Sequence, residues 1–177
     1  MTTPPAHSSR PDTIQRYLDE RYLDEVVFTR DEIESVWRKA QEAGTDAKLP
    51  GISCGGQIKM AFDAQMGMTR ALLWARGLRT VQSDKSHHFR LIDAVRVFAN
   101  AEGNTALQQA METLDRLRRT RNQAAYENES STPEEAESMM SNLAVMQPLA
   151  QQSLAALLEH VPRQAVLRAA LPPTRPR

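Results

Sequence analysis

Between Gln57 and Arg76 the apolar residues Ile58, Ala61, Phe62, Met66, Met68, Leu72, Leu73 and Ala75 recur at helical spacing in one broad stripe, and Gly77 follows as a stop. A helix of that pattern must bury most of its surface against other elements, so the fold is expected to assemble around it. The composition agrees. Hydrophobic residues make up 41% of the chain and aromatics only 5%. The apolar set is mostly Ala, Leu, Met and Val, which suits helices better than sheets.

Further helices are legible on both sides. Thr29 followed by Asp31 and Glu32 reads as a capped, acid-first start, after which Ile33, Val36, Trp37 and Ala40 keep helical spacing to Gly44. Trp37 reads as a core anchor. His88, Leu91, Ile92, Val95, Phe98 and Ala99 predict a helix ending near Gly103, and Asn104 or Thr105 begins the next, over about 106–125. Thr132, Pro133 and Glu135 supply an N-cap, a first-turn proline and a capping glutamate ahead of Met139, Leu143, Met146, Leu149, Leu154 and Leu157. Pro148 predicts a kink or a division of that last helix.

Near the start, Asp12 or Thr13 is expected to cap a helix running to about Val26. It contains the tandem RYLDERYLDE at 16–25, whose period is too short for a solenoid. The segment 43–56, with four glycines and one proline, is the clearest break, either a hinge or a long connection. A polar loop is expected at 78–86 and no strand anywhere. The expected architecture is all-α, five or six helices. An N-terminal helical extension at 11–54 precedes a bundle at 55–162, flanked by a disordered start at 1–10 and a basic, proline-rich tail at 163–177.

Lys plus Arg and Asp plus Glu each total 22, so no global field draws the chain to nucleic acid or membrane, and any such binding must come from a local patch. The single cysteine, Cys54, excludes an internal disulfide and a cysteine-based metal site, which fits a reducing cytosol. No stretch approaches the ~20 apolar residues that cross a bilayer, and the start lacks the apolar run of a secretory signal. A cytoplasmic protein that makes no membrane contact is expected. The four histidines form no ligand pattern, and SCGGQ lacks the lysine and spacing of a phosphate loop. Neither a metal nor a cofactor is expected.

The helix at about 106–125 carries the candidate chemistry. At 100° per residue, Leu107, Met111 and Leu114 lie within about 60° of one another, and Arg121 projects about 20° and Arg118 about 40° from Leu114. Two guanidinium groups therefore point toward a core or an interface. They either snorkel or pair with carboxylates of another helix such as Asp63 or Asp93, or they are held for phosphate, which arginine grips bidentately. Arg116, Arg118, Arg119 and Arg121 form a local basic patch, and Arg118, Asn122 and Tyr126 share one i, i+4 row. Glu127 and Glu129 follow and either pair with these arginines or close the site. His87 and His88, with Ser86 as their helix cap, offer a base. The plainer reading, histidines at a helix start, is preferred because they have no distinctive spacing.

The run RLRRTRNQAAYE at 116–127 resembles the signature of the HEPN superfamily, in which an arginine, usually followed by a polar residue, precedes a histidine with four to six residues between them. Arg121, Asn122 and Tyr126 match in spacing, and ALLWARGLR at 71–79 and HHFRLIDAV at 87–95 resemble the preceding helices of bacterial members. The similarity covers about 55–160. It implies an up-and-down helical core and a homodimer whose two motifs face each other across a cleft. The activity it implies is metal-independent endoribonuclease action in a toxin–antitoxin or defence system, with an antitoxin or nucleotidyltransferase partner. By the same resemblance Arg121, Asn122 and Tyr126 are catalytic, and Arg116, Arg118 and Arg119 hold RNA. The family's usual histidine is Tyr126 here, and a phenol with a pKa near 10 is a poor general base at neutral pH. A non-catalytic module that binds nucleotide, RNA or another protein is the alternative reading. A purely structural bundle assembling through its Met-rich stripes is a third.

Overall fold

The computed structural model describes residues 10–81, 86–127 and 131–162, with 123–127 described by backbone alone. The start at 1–9, the tail at 163–177 and Glu129 lie outside the described residues, as does the side chain of Glu127. Six helices form among them: α1 (Asp12–Asp19), α2 (Arg30–Asp46), α3 (Cys54–Trp74), α4 (His87–Ala101), α5 (Thr105–Glu127) and α6 (Pro133–Leu158). The all-α class is therefore observed. No helix among the described residues is long and apolar enough to cross a membrane.

Helix α3 is the centre, packed by α2 and α6 and, with smaller contacts, by α4 and the strand that follows it. Its apolar stripe explains this position. Met68, Leu72 and Leu73 are fully buried, each burial contributing about 1.5–3 kcal/mol. One buried cluster runs from Ile14 through Trp37, α3, α4 and Met111 to Leu154. Polar groups inside it are matched. The Asn142 amide donates to Gln65 Oε1 at 2.6 Å and to the Ala110 carbonyl at 3.3 Å, while Gln65 Nε2 donates to the Ala61 carbonyl at 3.1 Å. That network ties α3, α5 and α6 together, since an unpaired buried amide would cost about 1–3 kcal/mol.

The helix boundaries follow the capping chemistry. Thr29 and Glu32 close a reciprocal capping box at α2, and Thr132 with Glu135 does the same at α6, with Pro133 in its first turn. Asn104 Oδ1 accepts from the Leu107 amide at 3.0 Å and starts α5. Gly77 adopts φ 73°, which glycine tolerates without strain, and turns the chain out of α3. Pro148 sits inside α6, which stays helical from Pro133 to Leu158 instead of dividing.

Two expectations fail near the N-terminus. Helix α1 starts after Pro11, with Asp12 already in its first turn, and ends at Asp19. Arg21 takes a left-handed φ of 59°, and Leu23–Glu25 forms β1. The strand partner is β2 (Leu78–Thr80), in the segment expected to be a polar loop. The two pair antiparallel with Leu23 opposite Thr80, Asp24 opposite Arg79 and Glu25 opposite Leu78. Leu23 and Leu78 are each 1% exposed. Burial of Leu78 beside α3 and α4, and of Leu23 beside α1 and β2, outweighs the helical preference of the repeated sequence.

Candidate nucleic-acid interface

Helix α5 presents its arginines in successive 100° steps, so neighbours meet different environments. Arg118 Nε donates to Asp115 Oδ1 at 2.9 Å, and Arg119 Nε donates to Asp115 Oδ2 at 2.9 Å. A second nitrogen of each guanidinium contacts the same carboxylate. Asp115 is buried, and the two cations on the following turn satisfy both of its oxygens. Their partner thus comes from their own helix. Asp63 pairs with Lys59 at 2.8 Å, and Asp93 accepts from the Tyr17 hydroxyl at 2.6 Å and from Arg96 at 2.7 Å. Arg116 is exposed and donates to Thr113 Oγ1 at 3.2 Å.

Arg121 differs. It has no carboxylate partner among the described residues, and its guanidinium carbon lies 4.9 Å from the centroid of the Phe62 ring on α3. The His88 ring, from the first turn of α4, meets the same phenylalanine edge-on at 6.0 Å. His87 lies 4.1 Å from His88, ring centre to ring centre. Burial pushes the His88 imidazole below its ordinary range, and the charges of His87, Arg70, Arg118 and Arg121 push the same way. The charges that act on this ring most are all cations. A neutral imidazole inside a positive patch can accept a proton and has electropositive neighbours for the anion that results.

Ser86 occupies the N-cap position of α4, but its side chain makes no capping hydrogen bond there. Asn122 is exposed. Tyr126 falls in the last turn of α5, and its side chain lies outside the described residues. The backbone remains helical to Glu127, so the i, i+4 row of Arg118, Asn122 and Tyr126 continues to its end. Phe62, Arg70 and His88 are the residues that sequence reasoning passed over or set aside. They come from helices 30 to 60 positions away, and no local spacing announces them.

On the other side of Asp115 a groove of about 300 Å³ runs between α4 and α5. Asp93, Glu112 and Asp115 face Arg96 and Arg119 across it. Three carboxylates there would repel a phosphate, whereas among the described residues Arg121 meets the Phe62 ring and no carboxylate. Electrostatics therefore separates the two faces of α5. In comparisons with known proteins, no family model, no curated protein and no solved structure matches the chain.

Proposed function

We propose that this chain is an RNA-acting protein of the HEPN type that grips the phosphodiester backbone with Arg121, where α3, α4 and α5 meet. One observation carries the reading. Arg121 rests on Phe62 without a carboxylate partner among the described residues, beside the imidazole of His88 and two further arginines. A guanidinium so held is preorganised for a phosphate, and the same position would stabilise charge building on phosphorus during strand cleavage.

In the ribonuclease form of this reading the enzyme works without metal in the cytoplasm as a homodimer, with an antitoxin or nucleotidyltransferase as partner. His88 removes the 2′-hydroxyl proton, the freed oxygen attacks the adjacent phosphorus, and the 5′-oxygen leaves. Asn122 orients the phosphate, and Tyr126 gives its phenolic proton to the leaving 5′-oxygen. Arg116, exposed and bonded only to the Thr113 hydroxyl among the described residues, extends the contact along the strand, while Arg118 and Arg119 stay on Asp115. The second reading, a module that binds RNA or nucleotide without cutting it, is favoured by the tyrosine at 126, whose phenol holds its proton to a pKa near 10.

The deciding experiment incubates the purified chain with mixed cellular RNA in excess chelator, beside Arg121→Ala and His88→Ala. Cleavage that persists without metal and disappears in both variants supports the ribonuclease. Intact RNA that is still retained, with retention lost in Arg121→Ala, selects the binding module. Because Arg116 and Arg121 are the α5 arginines without a carboxylate partner among the described residues, binding should weaken only gently with salt, with a log–log slope of about −0.7 per phosphate contact and about two contacts. Salt-independent RNA retention, or none, would remove both readings.

A further inference from the structure

A second opening lies next to this interface, between the small sheet and the ends of α3 and α4. It is a cleft of about 610 Å³, within the range of about 300–1,000 Å³ typical of small-molecule sites. Phe28 and Trp74 line it as a parallel stack, with ring centres 4.2 Å apart and planes inclined by 5°. Both rings are only half-buried. Arg70, Arg79 and His87 also line it, with Asp24 as the carboxylate among its described lining residues. Asp24 pairs with Arg79 at 3.3 Å in an exposed contact, an ion pair weak enough to yield to a competing anion. Arg70 is exposed and has no carboxylate partner among the described residues.

We infer that this cleft binds one nucleotide, the base lying against the Phe28–Trp74 stack and the phosphate held by Arg70 and Arg79. A flat aromatic wall and two guanidinium groups in one cleft suit a ligand that is planar at one end and anionic at the other. An apolar ligand would leave the arginines without use, and inorganic phosphate would leave the rings without use. The cleft also joins the Arg121 face. His87 lines the cleft and stacks edgewise on His88, and Arg70 acts on His88 from the cleft side. The nucleotide has two sources, free in solution or one residue of an RNA strand whose next phosphate lies on Arg121. Only the second source rests on the RNA reading above.

The chain has two tryptophans, so Trp37→Phe leaves Trp74 as the sole tryptophan, read selectively by exciting at the red edge where tyrosine does not absorb. The full-length variant is titrated with AMP, ribose 5-phosphate and a short oligoadenylate. AMP should quench Trp74 saturably, with ribose 5-phosphate binding about tenfold more weakly for want of a base to stack. Arg70→Gln should weaken AMP about tenfold by removing a charge-assisted contact, whereas Arg121→Ala should weaken oligoadenylate alone. Calorimetry of the native chain beside Arg70→Gln gives the same comparison without touching the core. AMP binding without oligoadenylate binding supports a free-nucleotide site and sinks the RNA reading. Oligoadenylate binding that needs Arg121 but ignores Arg70, with no quenching of Trp74, overturns the cleft while the RNA reading stands. Absence of saturable binding by either ligand overturns it as well.

Discussion

Asp115 holds two arginines, and the exposure of each sets how much it contributes. The Asp115 side chain is 10% exposed, Arg118 is 18% exposed and Arg119 69%. A charge-assisted hydrogen bond between buried groups is worth about 1.5–3 kcal/mol, whereas an exposed i, i+4 pair is worth about 0.3–0.5. Arg118 is not fully enclosed, so we expect a coupling to Asp115 of about 1–2 kcal/mol after solvent screening. The coupling of Arg119 should be about 0.5 kcal/mol or less. The measurement is a pair of double-mutant cycles in urea, combining Asp115→Asn with Arg118→Gln and separately with Arg119→Gln. In a chain of this size each kcal/mol lowers the melting temperature by about 2–4 °C, which gives a second readout. Equal couplings, or a larger one at Arg119, would refute the premise that burial decides which arginine is structural.

Two more outcomes follow from the packing and the titration. The folded chain holds His88 below its ordinary value of about 6.5, so between that value and the lower folded one the unfolded state binds more protons. Stability should therefore fall as pH drops through about 6.5 and level off below the folded pKa; the pH dependence of urea midpoints should lose this slope in His88→Phe. At Gly67 a Cβ would lie 2.8 Å from the Cβ of Ala40 on α2. The overpacking cost of about 1–3 kcal/mol should exceed the roughly 1 kcal/mol of helix propensity that alanine adds, so Gly67→Ala should destabilise and Ala40→Gly should restore part of the loss.

How far the sequence determines this fold is clearest where it repeats itself. Arg16–Glu20 and Arg21–Glu25 have the same five residues, yet Tyr17 lies in α1 and Leu23 in β1. Tyr17 is buried with its hydroxyl on Asp93, while the matching Tyr22 is half-exposed; Leu23 is buried opposite β2, while the matching Leu18 is half-exposed. Local propensity is identical in the two copies, so only long-range burial separates them, and periodicity had no access to it. The capping boxes at Thr29 and Thr132 were legible because they are complete within four residues. The site divides along the same line. Asp115 stands three and four residues before Arg118 and Arg119, a spacing visible in the sequence and nearer than Asp63 or Asp93 on other helices. Phe62, Arg70 and His88 reach the Arg121 face only through the packing of α3 and α4 against α5.

A neutral chain can still hold a phosphate-binding patch if its carboxylates are spent elsewhere. Asp93 is occupied by Tyr17 and Arg96, Asp115 by Arg118 and Arg119, and Asp24 by Arg79. These pairings place two of the carboxylates in the α4–α5 groove and one at the sheet, while Arg70 and Arg121 flank His88. Helical geometry is what allows one run of arginines to serve both ends. Arg118 and Arg119 turn back toward Asp115, and Arg121, three residues after Arg118, lands on Phe62. Beyond Arg119 the helix therefore changes from pairing with its own carboxylate to laying Arg121 on the Phe62 ring of α3.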